Sequence, residues 1–125
     1  MNRDCLWLRS EDANTDGTYT HIHWSFADID PTTFKVIIRD EHKQWDGFMK
    51  LKNVKRIVSF GGWAYSTEEP GASILRRAII DNRNLFATNL AQFAQDEGIE
   101  GIDIDWEYPG VRQSPSHSSS TGQLT

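Results

Sequence analysis

The chain has 125 residues, of which 18 are Asp or Glu and 13 are Lys or Arg, giving a formal net charge of -5. That length predicts one domain, and the acidic balance argues against a nucleic-acid partner, which requires clustered basic residues. No window approaches the roughly 18 consecutive apolar residues of a membrane span, and the N-terminus lacks the apolar core of a secretory signal. The single cysteine, Cys5, cannot form an internal disulfide. We therefore expect a small acidic domain that binds neither nucleic acid nor membrane.

Composition divides the chain into two regions. Residues 1–111 mix apolar, charged and aromatic side chains, whereas residues 112–125 contain five serines and one leucine. Such a segment buries too little apolar surface to offset the entropy lost on ordering. We predict a folded region over residues 1–111 and a disordered tail over residues 112–125.

Three β-branched or aromatic runs predict strands, and the stretches between them carry apolar residues at helical spacing. Gly98 stands where a helix C-cap belongs. Strands that alternate with helices at short spacing indicate βαβ units and a parallel sheet, so the predicted class is α/β. In chain order, the predicted elements are a strand over residues 20–29, a helix over 40–51, a strand over 54–60, helices over 73–80 and 85–97, and a strand over 99–106.

Side-chain positions within these elements can also be predicted. In the first strand, Ile22, Trp24 and Phe26 alternate and should share one face. In the first helix, Trp45 and Phe48 are expected in the core. We interpret the basic residues between this helix and the second strand as a solvated surface; they are Lys50, Lys52, Lys55 and Arg56.

The third strand carries a row of acidic residues. Because side chains alternate along a strand, Asp103, Asp105 and Glu107 should point to one face. A parallel sheet is covered on both faces, so we expect these carboxylates to be shielded from open water. Neighbours about 6.7 Å apart repel by about 2.5 kcal/mol at an effective dielectric near 20. We therefore expect the row to hold at least one proton at neutral pH, which suits Glu107 to general acid catalysis.

An acidic alternating strand is more often a solvated face than a catalytic row. Two features favour catalysis here. Tyr108 and Pro109 end the strand sharply at an aromatic residue, which suits the rim of a sugar site. The second strand ends in Gly61-Gly62-Trp63, on the edge of an α/β sheet where ligands bind, and glycines there allow close backbone approach.

These two motifs carry a family resemblance. Ser59-Phe60-Gly61-Gly62 resembles the S-x-G-G element of glycoside hydrolase family 18, the chitinase family, and residues 100–107 resemble its D-x-x-D-x-D-x-E signature followed by Tyr-Pro. Residues 20–27 are similar to the family's second strand. The resemblance covers about residues 3–110 and is strongest to fungal chitinases related to killer-toxin subunits. Glu100 replaces the first Asp of the signature, at the strand start, where we expect an adjustment of packing only.

The resemblance implies a mechanism and a fold. Glu107 would protonate the glycosidic oxygen of a β-1,4-linked N-acetylglucosamine chain, and the substrate's own acetamido group would be the nucleophile. Asp105 would orient that group, and Asp103 would share a proton with Asp105. No cofactor or metal is implied, the partner is chitin or a chitooligosaccharide, and the family is usually extracellular. The residues expected to line the sugar site are Gly61, Gly62, Trp63 and Tyr108.

Two alternatives remain open. A catalytically silent family member could act as a chitin-binding lectin, although such proteins commonly lose the final acid, which is present here as Glu107. A metal-dependent hydrolase could use His21 and His23, which share one strand face, together with the carboxylates. The ordinary interpretation of both histidines is that they are strand residues near polar neighbours.

Length sets a further expectation. The family's domain is a TIM barrel of eight βα units, typically about 250 residues. The three predicted strands correspond to the second, third and fourth of that barrel. We therefore expect a fragment or truncated gene product, a partial TIM barrel of about three βα units with parallel strands. We also expect that alone it does not hydrolyse chitin and is poorly folded or self-associating, because its sheet edges are unpaired.

Overall fold

The computed structural model describes residues 8–110, so Cys5 and the segment 112–125 lie outside the described residues. Within them lies one sheet with the strand order β2-β1-β3-β4, built from β1 (His21–Ile29), β2 (Val36–Ile37), β3 (Lys55–Gly61) and β4 (Gly101–Asp105). β3 is parallel to both β1 and β4, which confirms the predicted parallel α/β arrangement. β2 pairs antiparallel with the end of β1 and was not predicted.

The helices of the described residues are α1 (Trp45–Met49), α2 (Gly62–Thr67), α3 (Gly71–Arg76) and α4 (Arg83–Glu97). α3 continues into a wide π-helical turn over Arg77–Asp81. α3 and this turn occupy the place of the single helix predicted over residues 73–80. α4 ends at Gly98 with φ 66°, the left-handed cap predicted for that glycine. α2 was not predicted. No helix among residues 8–110 is long and apolar enough to cross a membrane.

β3 is the centre of the core. Val58 and Phe60 are fully buried and pack beneath the helices, where Phe60 meets Phe86 of α4 edge-on with ring centroids 6.3 Å apart. Leu75 of α3 is also fully buried. Ser59, between Val58 and Phe60, is buried as well and points to the opposite face. The central strand therefore presents the buried hydroxyl of Ser59 to the face away from the helices.

α1 is shorter than the predicted helix over residues 40–51. The Asp40 carboxylate accepts hydrogen bonds from the backbone N–H groups of Gln44 at 2.6 Å and Trp45 at 3.0 Å. It therefore satisfies the free amides at the start of the helix, as a capping residue does. The prediction that Phe48 lies in the core is confirmed, whereas Trp45 is partly buried and packs against the core, where both rings contact Trp24.

β1 does not alternate regularly, so the prediction that Phe26 shares a face with Ile22 and Trp24 is wrong. The register with β3 shifts between Ser25 and Ala27, as at a β-bulge. Beyond the shift, Ala27 is buried, whereas 43% of Phe26 is exposed. The extra residue therefore moves the Phe26 ring out of the core near the carboxyl end of the sheet.

The turn between β1 and β2 is fixed by Asp30. Its carboxylate accepts hydrogen bonds from the backbone N–H groups of Thr33 at 2.7 Å and Thr32 at 2.9 Å, and these bonds lower the pKa of Asp30. Its own N–H donates to the carbonyl of Lys35 at 2.8 Å. This tight turn returns the chain against the end of β1 as the short strand β2.

The start of β4 is anchored by an ion pair. The Arg56 guanidinium donates to the Glu100 carboxylate at 2.8 and 3.2 Å and also to the carbonyls of Met49 and Gly98. These bonds from Arg56 hold the pKa of Glu100 below its ordinary value. The interpretation of Arg56 as solvated surface is therefore wrong, since its side chain is only 17% exposed. Glu100 thus has a structural contact just before β4, and the expectation that it adjusts packing only stays a prediction.

Candidate active site

The carboxylates of β4 lie beside the end of β3. Ser59 pairs in register with Asp103, and Gly61 pairs with Asp105, the last residue of β4. The Ser59 hydroxyl donates a 2.8 Å hydrogen bond to Asp103 Oδ2. Glu107 follows two residues later, beyond the last paired residue. The parallel register thus places the acidic row at the carboxyl edge of the sheet, where α/β proteins bind ligands.

A histidine of β1 joins this network. His23 Nδ1 lies 2.9 Å from Ser59 Oγ and 3.5 Å from Asp103 Oδ2. Because the Ser59 hydroxyl donates its hydrogen to Asp103, its oxygen accepts from His23, which requires the proton on Nδ1. The three side chains therefore form a hydrogen-bonded line across three parallel strands. The sequence suggested His23 only as a possible metal ligand.

His21 does not take part in this line, because its Nδ1 contacts the Thr20 hydroxyl at 2.8 Å. Within residues 8–110, no three His, Cys, Asp or Glu side chains are grouped so as to hold a metal ion. The His21 and His23 pair therefore lacks the further ligands that a metal site requires in this part of the chain.

The expectation that the row is shielded from water is wrong for the described residues. The Asp103 side chain is 41% exposed, because β4 is an edge strand of the sheet. On the opposite face of β4, Ile104 is also exposed. A cavity of about 590 Å³ runs beside β1 and includes His23 and Ser25, but no carboxylate of β4 lines it. Asp103, Asp105 and Glu107 are therefore half-buried and partly open to solvent, and they do not line an enclosed pocket.

Both glycines predicted for the sugar site are required by the backbone. Gly61 has φ 112°, and a Cβ there would lie 2.8 Å from the carbonyl carbon of Asp105 and overlap its oxygen. Gly62 has φ 81°, and a Cβ there would lie 2.9 Å from the ring of Phe26. An L side chain is strained at either angle. The glycine pair thus lets β3 approach both the end of β4 and Phe26.

Exposed aromatic rings lie on the segments that leave this edge. Trp63, the second residue of α2, is 62% exposed, and Tyr108, one residue after Glu107, is 57% exposed. Phe26, beside Gly62, is a third exposed ring, which the sequence placed on the same strand face as Ile22 and Trp24. Trp106 points the other way and packs with its ring 5.5 Å from the Arg76 guanidinium carbon. Apolar ring faces beside carboxylates suit a sugar ligand.

A further residue holds the backbone beneath Glu107. The Ser66 hydroxyl accepts a 3.0 Å hydrogen bond from the Glu107 N–H and donates to the Asp105 carbonyl at 3.4 Å. Ser66 belongs to α2 and is 4% exposed. Sequence reasoning missed it because α2 itself was not predicted, and a serine within six residues of Gly-Gly carries no signal of its own.

Comparison with known proteins identifies the family. The sequence profile described as glycosyl hydrolases family 18 matches residues 7–121, nearly the whole chain. The chain belongs to glycosyl hydrolases family 18. This confirms the resemblance found in the two motifs.

Among curated relatives, "Secreted chitinase LysM12" of Penicillium expansum is 40% identical over 118 residues, which is 92% of this chain and 8% of that protein. "Killer toxin subunits alpha/beta" of Kluyveromyces lactis is 40% identical over 98 residues, or 77% of this chain and 8% of that protein. The similarity to fungal chitinases and killer-toxin subunits is thus confirmed. The chain spans about 8% of the length of these relatives.

Solved structures confirm the fold as part of the family 18 barrel. The chitinase-like agglutinin of Robinia pseudoacacia superposes with a TM-score of 0.66 at 28% identity, covering 83% of this chain and 32% of that one. Human YKL-39, described as a pseudo-chitinase with retained chitooligosaccharide binding, gives 0.62 at 23% identity, covering 82% and 28%. The described residues are a partial α/β barrel with mostly parallel strands.

Proposed function

We propose that this chain carries the proton-donating part of a chitinase-type glycoside hydrolase that cleaves β-1,4-linked N-acetylglucosamine. The observation that supports this most is the in-register pairing of Ser59 with Asp103 and Gly61 with Asp105, which leaves Glu107 just past the carboxyl edge of the sheet. Family membership supports glycoside hydrolysis in general. The relatives named as chitinases support the substrate class.

The proposed reaction has two steps. Glu107 gives its proton to the glycosidic oxygen while the carbonyl oxygen of the substrate's acetamido group attacks the anomeric carbon, so the leaving sugar departs as an alcohol. The ring that forms is a cationic oxazolinium. Ionised Glu107 then takes a proton from water, which opens this ring and restores the original anomeric configuration.

The other two carboxylates would serve the acetamido group. Asp105 accepts the hydrogen of its N–H, which orients the group for attack and stabilises the cation. Asp103 shares a proton with Asp105. The Ser59 hydroxyl bound to Asp103 and the His23 ring bound to Ser59 keep Asp103 in one orientation. Trp63, Tyr108 and the backbone at Gly61 and Gly62 would contact the sugar.

The proposal concerns the site within a complete barrel. This chain matches about 8% of the length of its curated relatives. The three carboxylate residues are half-buried and partly open to solvent in the described residues. Efficient transition-state stabilisation requires a site from which bulk water is excluded, and a site that is partly open to solvent does not provide this. That the chain alone does not hydrolyse chitin, and that it is poorly folded or self-associating because its strand edges are unpaired, stay predictions.

The test places residues 8–110 in the matching segment of the Penicillium expansum chitinase and measures chitooligosaccharide turnover and binding. We expect the chimera to be active, and Glu107→Gln to abolish hydrolysis while chitooligosaccharide affinity is retained. Glu97→Gln, an exposed acid at the end of α4, is the matched control and should leave turnover unchanged. Retained turnover in the Glu107→Gln chimera would overturn the assignment of the proton donor.

A second candidate function is a chitin-binding lectin without turnover. Its support is that the structural neighbours include an agglutinin and a pseudo-chitinase described as binding chitooligosaccharides. The presence of Glu107 favours the enzyme. A fluorogenic chitooligosaccharide separates the two functions, because a chimera that binds the substrate without releasing its fluorophore would favour the lectin. The relative named as a secreted chitinase supports an extracellular setting for either function.

A further inference from the structure

The backbone at Glu107 is not held by the sheet. β4 ends at Asp105, and its partner strand β3 ends at Gly61, so no strand residue pairs with Glu107. Among the described residues, the Glu107 N–H donates to the Ser66 hydroxyl at 3.0 Å. The carboxyl group of the proposed proton donor therefore stands on a backbone whose position depends on a side chain from another element.

Ser66 is well placed for this contact. It is 4% exposed, so its hydroxyl has little access to water and needs partners within the protein. The Ser66 hydroxyl has two such partners, the residues before and after Trp106. It accepts a hydrogen bond from the Glu107 N–H and donates one to the Asp105 carbonyl at 3.4 Å. One hydroxyl thus bridges the last strand residue and the proposed acid.

α2 is itself fixed at several points. It begins directly after Gly61, whose positive φ turns the chain from β3 into the helix. Tyr65, next to Ser66, accepts a hydrogen bond from the Ile29 N–H at 3.3 Å, and burial raises the pKa of this phenol. Gly71 of α3 lies against the Tyr65 backbone. Contacts with β1, β3 and α3 therefore give Ser66 a defined position relative to β4.

We infer that Ser66 is a positioning residue, whose hydroxyl fixes the backbone of Glu107 and so sets where its carboxyl group meets the glycosidic oxygen. The effect of Ser66 on catalysis rests on the proposed function, whereas the hydrogen bond from the Glu107 N–H to Ser66 does not depend on it. Small misplacements of a catalytic group lower rates strongly, because the reaction needs a near-attack geometry. Ser66 therefore affects turnover more than substrate binding.

Amide hydrogen exchange in the complete-barrel chimera tests the contact directly, because the isolated chain is itself predicted to be poorly folded or self-associating. In Ser66→Ala, the Glu107 amide should exchange at least about tenfold faster, beyond any change shared with core amides such as Phe60. Ser66→Thr keeps a hydroxyl and should restore the slow exchange. Ser73→Ala, an exposed serine on α3, is the control and should leave it unchanged. Unchanged Glu107 exchange in Ser66→Ala would overturn the inference.

Kinetics in the complete-barrel chimera test the catalytic consequence. Ser66→Ala should lower kcat about tenfold and leave KM within about twofold, with partial recovery in Ser66→Thr. An active chimera whose kcat is unaffected by Ser66→Ala would overturn the positioning role. If the unsubstituted chimera has no turnover, the proposed function fails, and the exchange rates alone then decide whether Ser66 holds Glu107.

Discussion

Gly61 and Asp105 face each other where β3 and β4 end, so closely that a Cβ on Gly61 would overlap the Asp105 carbonyl oxygen. The same carbonyl accepts a hydrogen bond from Ser66. Because Gly61 has no side chain, the end of β4 can lie against both β3 and α2. This close approach links the packing of the sheet to the position of Glu107, two residues further on.

Gly61→Ala should lower the free energy of unfolding more than Gly98→Ala, a substitution that introduces backbone strain without a steric clash. The new methyl group collides with a backbone carbonyl at positive φ, and we expect a loss of about 3 kcal/mol or more. Gly98→Ala has positive φ but nothing within 4 Å of the added Cβ. It should lose only about 1 kcal/mol. Urea unfolding compares the two, and equal losses would contradict the close approach at Gly61.

Glu100→Gln should weaken the fold in a pH-dependent way. Arg56 lowers the folded-state pKa of Glu100 below its ordinary value of 4.5, so ionised Glu100 stabilises the fold above that pH. This stabilisation is lost as the pH falls through the lowered pKa. Since Glu100 is partly exposed, we expect about 1 kcal/mol at neutral pH.

Urea midpoints measured for both proteins from neutral pH into the acid range check this sign. The stability gap between the original chain and Glu100→Gln should shrink as the solution is acidified, because a protonated Glu100 resembles glutamine. A gap that stays constant, or grows in acid, would contradict the ion pair.

Alanine substitutions of Phe60 and Phe26 should have different effects, the first on the free energy of unfolding and the second on ligand binding. Phe60 is fully buried, and Phe60→Ala should lose about 3 to 5 kcal/mol of unfolding free energy. Phe26 is 43% exposed beside Gly62, so Phe26→Ala should lose about 1 kcal/mol while weakening chitooligosaccharide binding severalfold in the complete-barrel chimera. Unfolding curves and calorimetric titration measure the two effects. A core-sized loss of stability in Phe26→Ala would contradict the bulge.

The two histidines of β1 provide a matched pair. His23→Ala removes the group that fixes the Ser59 hydroxyl, and we expect kcat in the chimera to fall about threefold to tenfold. His21→Ala removes only a contact with Thr20 and should leave kcat unchanged. Steady-state kinetics on chitooligosaccharides compare them, and equal effects would argue against the His23–Ser59–Asp103 line.

Much of this arrangement could be predicted from the sequence. Strand alternation correctly placed Asp103 and Asp105 on β4, whereas Glu107 lies beyond the end of the strand, and the two motifs identified the family. Gly98 was assigned correctly as a cap, because left-handed backbone strongly favours glycine. The individual roles of Asp103, Asp105 and Glu107 and of the sugar-lining residues stay proposals.

Other features depend on contacts that periodicity does not encode. The register of β1 with β3 shifts between Ser25 and Ala27, so regular alternation wrongly placed Phe26 on the same face as Ile22 and Trp24. α1 begins at Trp45 and not at Asp40, because the Asp40 carboxylate accepts hydrogen bonds from the N–H groups of Gln44 and Trp45 at the start of the helix. Ser66 contacts Glu107 across 41 residues of sequence, and no local pattern reports such a pair.

The central claim is that Glu107 donates the proton, and leaving-group dependence tests it most directly. In the complete-barrel chimera, Glu107→Gln should lose at least about 100-fold in kcat on chitooligosaccharides, whose sugar leaving group needs protonation. On a nitrophenyl chitobioside, whose phenol departs without a proton, first-turnover release should fall only severalfold. An equal loss on both substrates, or retained turnover of chitooligosaccharides, would contradict the account.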